Sequence, residues 1–138
     1  MTHAEAASAL QGLLGSLGIK SAGLNAQGLG GVSLLAEDVS FDHDAESGTL
    51  TVSATVHRFQ KTPLPRVLQA LREEAKRSDL GGGRLDYEPV NGGLFLALCY
   101  TERPTTAALR TAMEALIPAA RRVRTDLLPR VATRLNGL

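Results

Sequence analysis

The chain has 138 residues, a length typical of one domain, and 43% of them are hydrophobic, which argues against a disordered protein. Its formal net charge of +1 does not favour nucleic acid or a membrane surface as a partner. Cys99 is the only cysteine, and no apolar run approaches the ~20 residues of a spanning helix, so we expect one cytoplasmic domain over residues 1–138, without disulfides or membrane insertion.

The chain begins with a predicted helix. Thr2 and Glu5 fit a capping box at its start, and Gly18 fits a left-handed cap at its end. Two internal glycines, Gly12 and Gly15, are either tolerated defects or points of close packing. The apolar stripe of this helix consists of Leu10, Leu13, Leu14 and Leu17.

Three strands are predicted after a glycine-rich loop at residues 21–31. Val32–Ala36 and Val39–Asp44 are expected to meet around Glu37-Asp38. Thr49–Phe59 alternates strictly between apolar and polar residues and is the strongest strand signal in the chain.

The hairpin region is acidic. Between Glu37 and Glu46 there are five carboxylates and no lysine or arginine. A divalent-cation site with His43 beside Asp42 and Asp44 is conceivable, but neighbouring residues of a strand point to opposite faces. We therefore interpret this region as a solvated acidic edge.

A second helix and a second hairpin follow. Thr62 is predicted as the N-cap of the helix, with Pro63 as its first residue. Arg84–Val90 and Leu94–Thr101 are predicted to pair across Asn91-Gly92-Gly93.

The last predicted strand is apolar on both sides. One side carries the larger residues Leu94, Leu96, Leu98 and Tyr100. The other side carries Phe95, Ala97 and Cys99, and we expect Cys99 to be a small core residue. Because one layer of helices covers only one face of a sheet, the second face must meet a loop, a second subunit or a bound chain.

The chain ends in a long amphipathic helix from Thr105 onward, which Pro118, and near its end Pro129, should bend or divide. Its basic side is interpreted as a solvated face, or alternatively as a site for an acidic partner, and contains Arg121, Arg122, Arg124, Arg130 and Arg134. The order helix–three strands–helix–two strands–helix predicts an α+β fold, with one antiparallel sheet and helices packed on it.

The sequence contains no recognisable catalytic or cofactor-binding set. His3, His43 and His57 are its only histidines, and none belongs to a triad or metal motif. We therefore expect no enzymatic activity, no cofactor and no metal, although a site carried on loops would escape this reasoning.

The chain resembles the class I type III secretion chaperones, the small cytosolic dimers that hold effectors before export in Gram-negative bacteria. The resemblance covers nearly the whole length in its order of elements. Its local features are a leucine-rich first helix that ends at glycine (residues 13–19), Leu64-Pro65-Arg66 at the start of the second helix, and the apolar run Leu94–Leu98. Such chaperones are usually acidic, whereas this chain has a pI near 8.0.

The resemblance implies a protein that binds the N-terminal chaperone-binding segment of a secreted effector in extended form and keeps it export-competent. It also implies a homodimer, with the secretion ATPase as a further partner. The residues expected to line the effector groove are Leu10, Leu13, Leu14, Leu17, Val32 and Leu34. The residues expected at the dimer interface are Val67, Leu68, Leu71, Leu85 and Tyr87. The alternative is a small dimeric regulatory or ligand-binding domain of the same fold class.

Overall fold

The structure is a computed structural model that describes residues 1–21 and 23–136. In chain order, its elements are α1 (His3–Ser16), β1 (Leu29–Leu34), β2 (Glu37–Asp44), β3 (Thr49–Arg58), α2 (Pro65–Ala75), β4 (Arg84–Glu88), β5 (Gly93–Tyr100), α3 (Thr106–Arg122), a π-helical turn (Val123–Leu127) and α4 (Leu128–Asn136).

The five strands form one antiparallel sheet in the order β1-β2-β3-β5-β4, so β1 and β4 are its edges. Helix α3 packs against α1 and β3, and α2 packs against α4. The predicted α+β class and element order are confirmed. Among residues 1–21 and 23–136, no helix combines the length and the apolar character that crossing a bilayer requires.

Strand β3 places its apolar side in the core. The alternation predicted for this strand is confirmed, because its polar side is only half-buried. Its core residues, each at most 2% exposed, are Leu50, Val52, Ala54 and Val56.

Helix α1 has the predicted ends. The Thr2 hydroxyl accepts a hydrogen bond from the Glu5 amide at 3.1 Å, and the Glu5 carboxylate accepts one from the Thr2 amide at 3.0 Å. Beyond the helix, Gly18 has φ +72°, and the Ile19 amide donates to the Leu14 carbonyl at 2.8 Å, which completes a Schellman motif.

The two glycines inside α1 differ. A Cβ at Gly12 would lie 2.6 Å from Thr106 Oγ1, so α3 packs closely on α1 at this position. A Cβ at Gly15 would meet nothing within 4 Å, so this position is a tolerated defect.

The β1–β2 turn lies two residues earlier than predicted. Glu37 and Asp38 belong to β2, and the turn is formed by Leu35 (φ +50°) and Ala36 (φ +67°). These residue types disfavour the left-handed region, so local preference points away from the true turn. Strand β1 also begins at Leu29, inside the predicted loop 21–31, of which residue 22 lies outside the described residues.

Helix α2 begins later than predicted. Its N-cap is Leu64, without a side-chain cap, and Pro65 is its first residue. A start at Pro63 would make Leu64 helical directly before Pro65, and the ring of a proline disfavours that conformation in the preceding residue. Leu64 is instead extended, with ψ 151°.

The C-terminal helix departs from the α pattern next to Pro129 and not at Pro118. Helix α3 continues through Pro118, and the departure comes at the π-helical turn, where the Leu128 amide donates to the Val123 carbonyl. Pro129 follows at once and has no amide to donate, so the wider turn accommodates the missing hydrogen bond.

Candidate partner-binding surfaces

An apolar groove of about 510 Å³ opens between the end of α1, the β1–β2 turn and α3, and we call it the turn groove. Its floor consists of Leu34, Met113 and Ile117, which are 3–7% exposed. Its walls include Leu17 and Leu35, which are 36% and 72% exposed. The remaining lining residues are Ile19, Ser33, Arg110, Glu114, Pro118 and Arg121.

Local backbone geometry builds this groove. The Schellman motif that ends α1 brings Ile19 to its rim, and the left-handed turn leaves Leu35 exposed. Helix α3 contributes one face, since its lining residues recur at intervals of three and four between Arg110 and Arg121.

Half of the predicted groove residues lie in the core. Leu10, Leu13 and Leu14 are each 0% exposed, because the apolar face of α1 packs against α3 and belongs to the hydrophobic core. They cannot contact a partner in this arrangement, so their assignment to a groove was wrong.

The other predicted groove residues lie near the opening. Leu17 and Leu34 line the turn groove, whereas Val32 is half-buried in β1 and does not line it. Their part in partner binding stays a prediction. Sequence reasoning missed the contribution of α3, because Met113 and Ile117 carry the same periodic signal as ordinary core residues.

A buried carboxylate joins the β1–β2 turn to the C-terminal helix. Glu37 is 5% exposed, and Arg124 Nη2 lies 2.5 and 2.6 Å from its two oxygens. Arg121 Nε lies 3.6 Å from the same carboxylate, and Arg121 also donates to the Leu35 carbonyl. Arg124 further donates to the Thr55 carbonyl at 3.3 Å. Two guanidinium groups therefore face one carboxylate at the edge of the turn groove.

The other arginines of the C-terminal helix form ion pairs with acidic residues of α2 and of the loop that follows α2. Arg122 lies 3.6 Å from Asp79, and Arg130 lies 3.3 Å from Glu74, which is 9% exposed. Arg134 donates to Glu73, and this hydrogen bond, together with the arginine charge, lowers the pKa of Glu73. The five arginine side chains are 36–48% exposed, so the basic face is solvated as predicted, and each arginine also pairs with a carboxylate within the chain.

A second groove, of about 620 Å³, lies between α2 and β4, and we call it the α2–β4 groove. Four of the five predicted dimer residues line it, namely Leu68, Leu71, Leu85 and Tyr87. Val67, the fifth, is half-buried on α2 and does not line the groove. The groove runs beside the edge strand β4.

The outer side of β5 is partly open. Phe95 is half-buried, Ala97 is buried, and Cys99 is exposed, with its sulfur 3.7 Å from the Thr51 hydroxyl and from Arg84 Nη2. The expectation that Cys99 is a core residue was therefore wrong.

The histidines do not converge on a reactive centre. His3 and His43 form an edge-to-face pair with ring centroids 6.0 Å apart, and His57 packs edge-to-face on Phe59. Residues 1–21 and 23–136 contain no group of three histidine, cysteine, aspartate or glutamate residues placed to hold a metal ion.

No family model matches the chain, and no curated protein matches its sequence. Its fold, however, is similar to solved structures. A chain of the ExsC–ExsE complex matches with a TM-score of 0.71 and 15% identity, over 92% of this chain and 97% of that chain. A chain of the HopA1–SchA chaperone–effector complex matches with a TM-score of 0.69 and 16% identity, over 88% and 94%.

A third similar structure is the Yersinia pestis type III secretion chaperone SycH in complex with a stable fragment of YscM2. It matches with a TM-score of 0.57 and 17% identity, over 83% of this chain and 96% of that chain. The agreement extends over nearly the full length of each chain, which a shared motif alone would not produce. This protein therefore has the fold of the type III secretion chaperones.

Proposed function

We propose that this protein is a cytoplasmic chaperone of a Gram-negative bacterium that binds the N-terminal segment of a type III secreted effector and keeps it export-competent. The observation that carries the proposal is the fold, which it shares over 88% of its length with a chain of a chaperone–effector complex. The turn groove supplies an open apolar surface on that fold.

The effector segment binds in extended form. An extended chain gains main-chain hydrogen bonds when it lies along a sheet edge, and its alternate side chains enter apolar pockets. Strand β1 is such an edge, and its Ser33 and Leu34 line the turn groove. A segment that wraps a large surface offsets the entropy lost when it becomes ordered.

The chaperone acts as a homodimer, and the α2–β4 groove supports this part of the proposal. It is apolar where Leu68, Leu71 and Leu85 line it, and a second copy would shelter both these residues and the edge of β4. The secretion ATPase stays a predicted partner. The role is one of binding rather than catalysis.

The test is co-expression with the N-terminal halves of secreted proteins that are encoded beside the gene. We expect one of them to co-purify with the wild-type protein. Leu35→Asn should weaken this complex at least fivefold, because it removes an apolar wall of the turn groove, while asparagine tolerates the left-handed backbone.

The matched control is Val90→Asn. Val90 is 92% exposed in the β4–β5 turn, outside the turn groove, so this variant should keep wild-type affinity. Equal affinity of the Leu35→Asn variant and the wild type, or no affinity for any secreted segment, would contradict the proposal.

A further inference from the structure

We infer that the turn groove selects partner segments in which an aliphatic residue stands two positions from an aspartate or glutamate, and that Arg121 binds the acidic side chain. This inference rests on the proposed function and specifies the chemistry of the partner.

The contacts of Arg121 with the described residues do not use most of its N–H donors or neutralise all of its charge. The nearby carboxylate, Glu37, is already held through both oxygens by Arg124, at 2.5 and 2.6 Å, whereas Arg121 lies at 3.6 Å. A guanidinium group carries five N–H donors, and the donor that binds the Leu35 carbonyl uses only one of them. Since the side chain of Arg121 is 47% exposed, its free donors can reach a partner.

The other charges of the groove balance each other. Arg110 lies 3.6 Å from Glu114, one turn further along α3. The pair adds no net charge, and Arg110 also donates to the Ser16 carbonyl at 3.4 Å. The uncompensated charge of the groove is therefore positive and lies at Arg121.

This charge lies beside an apolar floor. Arg121 is one turn beyond Ile117 on α3, and both line the groove with Leu34. In an extended segment, residues two positions apart point to the same side and are separated by about 6.6 Å. An aliphatic side chain on the floor therefore places an acidic neighbour within reach of the guanidinium group.

The experiment selects binders from a displayed library of random short peptides, using the full-length wild-type protein. We expect selected peptides to combine an aliphatic residue with an aspartate or glutamate two positions away. For one such peptide, Arg121→Gln should weaken binding about fivefold at low salt, the upper end for a half-exposed ion pair. The matched control Arg122→Gln removes the next arginine, which lies outside the turn groove on Asp79, and should leave affinity unchanged.

A second variant separates charge from structure, since Arg121 also holds the β1–β2 turn. Arg121→Lys keeps the charge and should keep the acidic preference. If Leu35→Asn weakens the binding of the selected peptides, but these peptides are not enriched in aspartate or glutamate, this inference is wrong while the proposed function stands. If no selected peptide is weakened by Leu35→Asn, the proposed function fails as well.

Discussion

At the scale of single residues, the β1–β2 turn has a strained backbone. Leu35 and Ala36 both have positive φ, and they are the only non-glycine residues of the described chain that do. Each costs about 1 kcal/mol or more relative to glycine. The turn persists because Arg121 and Arg124 hold it from the C-terminal helix through the Leu35 carbonyl and Glu37.

This strain gives a stability prediction for Ala36→Gly. Glycine adopts φ +67° without a Cβ penalty, so we expect the free energy of unfolding to rise by about 0.5–1 kcal/mol. Urea unfolding followed by circular dichroism measures the change. The matched control is Ala45→Gly, in the exposed β2–β3 turn where φ is not positive; it should leave stability unchanged or lower it. A destabilising Ala36→Gly would show that the turn is not strained.

At the scale of elements, the arginines of α3, the π-helical turn and α4 fasten the C-terminal helix to the rest of the fold. Arg121 and Arg124 reach the β1–β2 hairpin, while Arg130 and Arg134 reach α2. These contacts therefore hold in place both the β1–β2 turn, which forms a wall of the turn groove, and α2, which borders the α2–β4 groove.

The ion pair of Glu73 and Arg134 predicts a dependence of stability on pH. The hydrogen bond and charge of Arg134 lower the pKa of Glu73 from its ordinary value of about 4.5, so the folded protein holds this proton less tightly than the unfolded chain does. The stabilisation is therefore full above the ordinary value and is lost as pH falls through the folded-state pKa.

We expect Glu73→Gln to lower the urea midpoint at pH 7, and the difference from wild type to narrow at about pH 3, where carboxylates protonate. Glu46→Gln is the control, because Glu46 is exposed and forms no ion pair with the described residues. A difference that stays constant from pH 7 to about pH 3 would contradict the assignment.

The elements themselves could be predicted wherever one local rule decides the structure. Alternation places β3 and its buried side, and the capping box and Gly18 mark both ends of α1. The β1–β2 turn could not be predicted, because tertiary contacts from Arg121 and Arg124 override local preference there.

The site was harder to predict than the fold. Leu10 and Leu17 belong to one helical stripe, yet Leu10 is buried and Leu17 reaches the turn groove. Periodicity identifies an apolar face but does not say which of its residues another element covers. The pairing of Arg124 with Glu37, 87 positions apart, depends on the same long-range information.

At the scale of the whole molecule, β4 is one of the two edge strands of the sheet. It is only five residues long, and the α2–β4 groove beside it is lined by leucines together with Arg72, Lys76, Arg84 and Asp86. An open edge next to apolar surface invites association, and a two-fold axis lets the same patch cover itself on a second copy. A dimer of this kind would leave the opposite edge, β1, open for the effector segment that we propose to bind there.

The proposed dimer gives the last prediction. In multi-angle light scattering, we expect the wild-type protein to have twice the chain mass of 14.6 kDa at micromolar concentration. Leu68→Asp should raise the dimer dissociation constant by about tenfold or more, because it removes an apolar contact and buries a carboxylate among the leucines of the proposed interface, while circular dichroism should show a folded chain. Leu29→Asp, on the other edge strand at a position 49% exposed, should stay dimeric. A wild-type protein with the mass of one chain would show that no dimer forms. A Leu68→Asp variant as dimeric as the wild type would show that the dimer interface does not lie in the α2–β4 groove. The Leu29→Asp comparison makes the second result decisive, since an acidic residue on the β1 edge tests the same chemistry where no subunit contact is proposed.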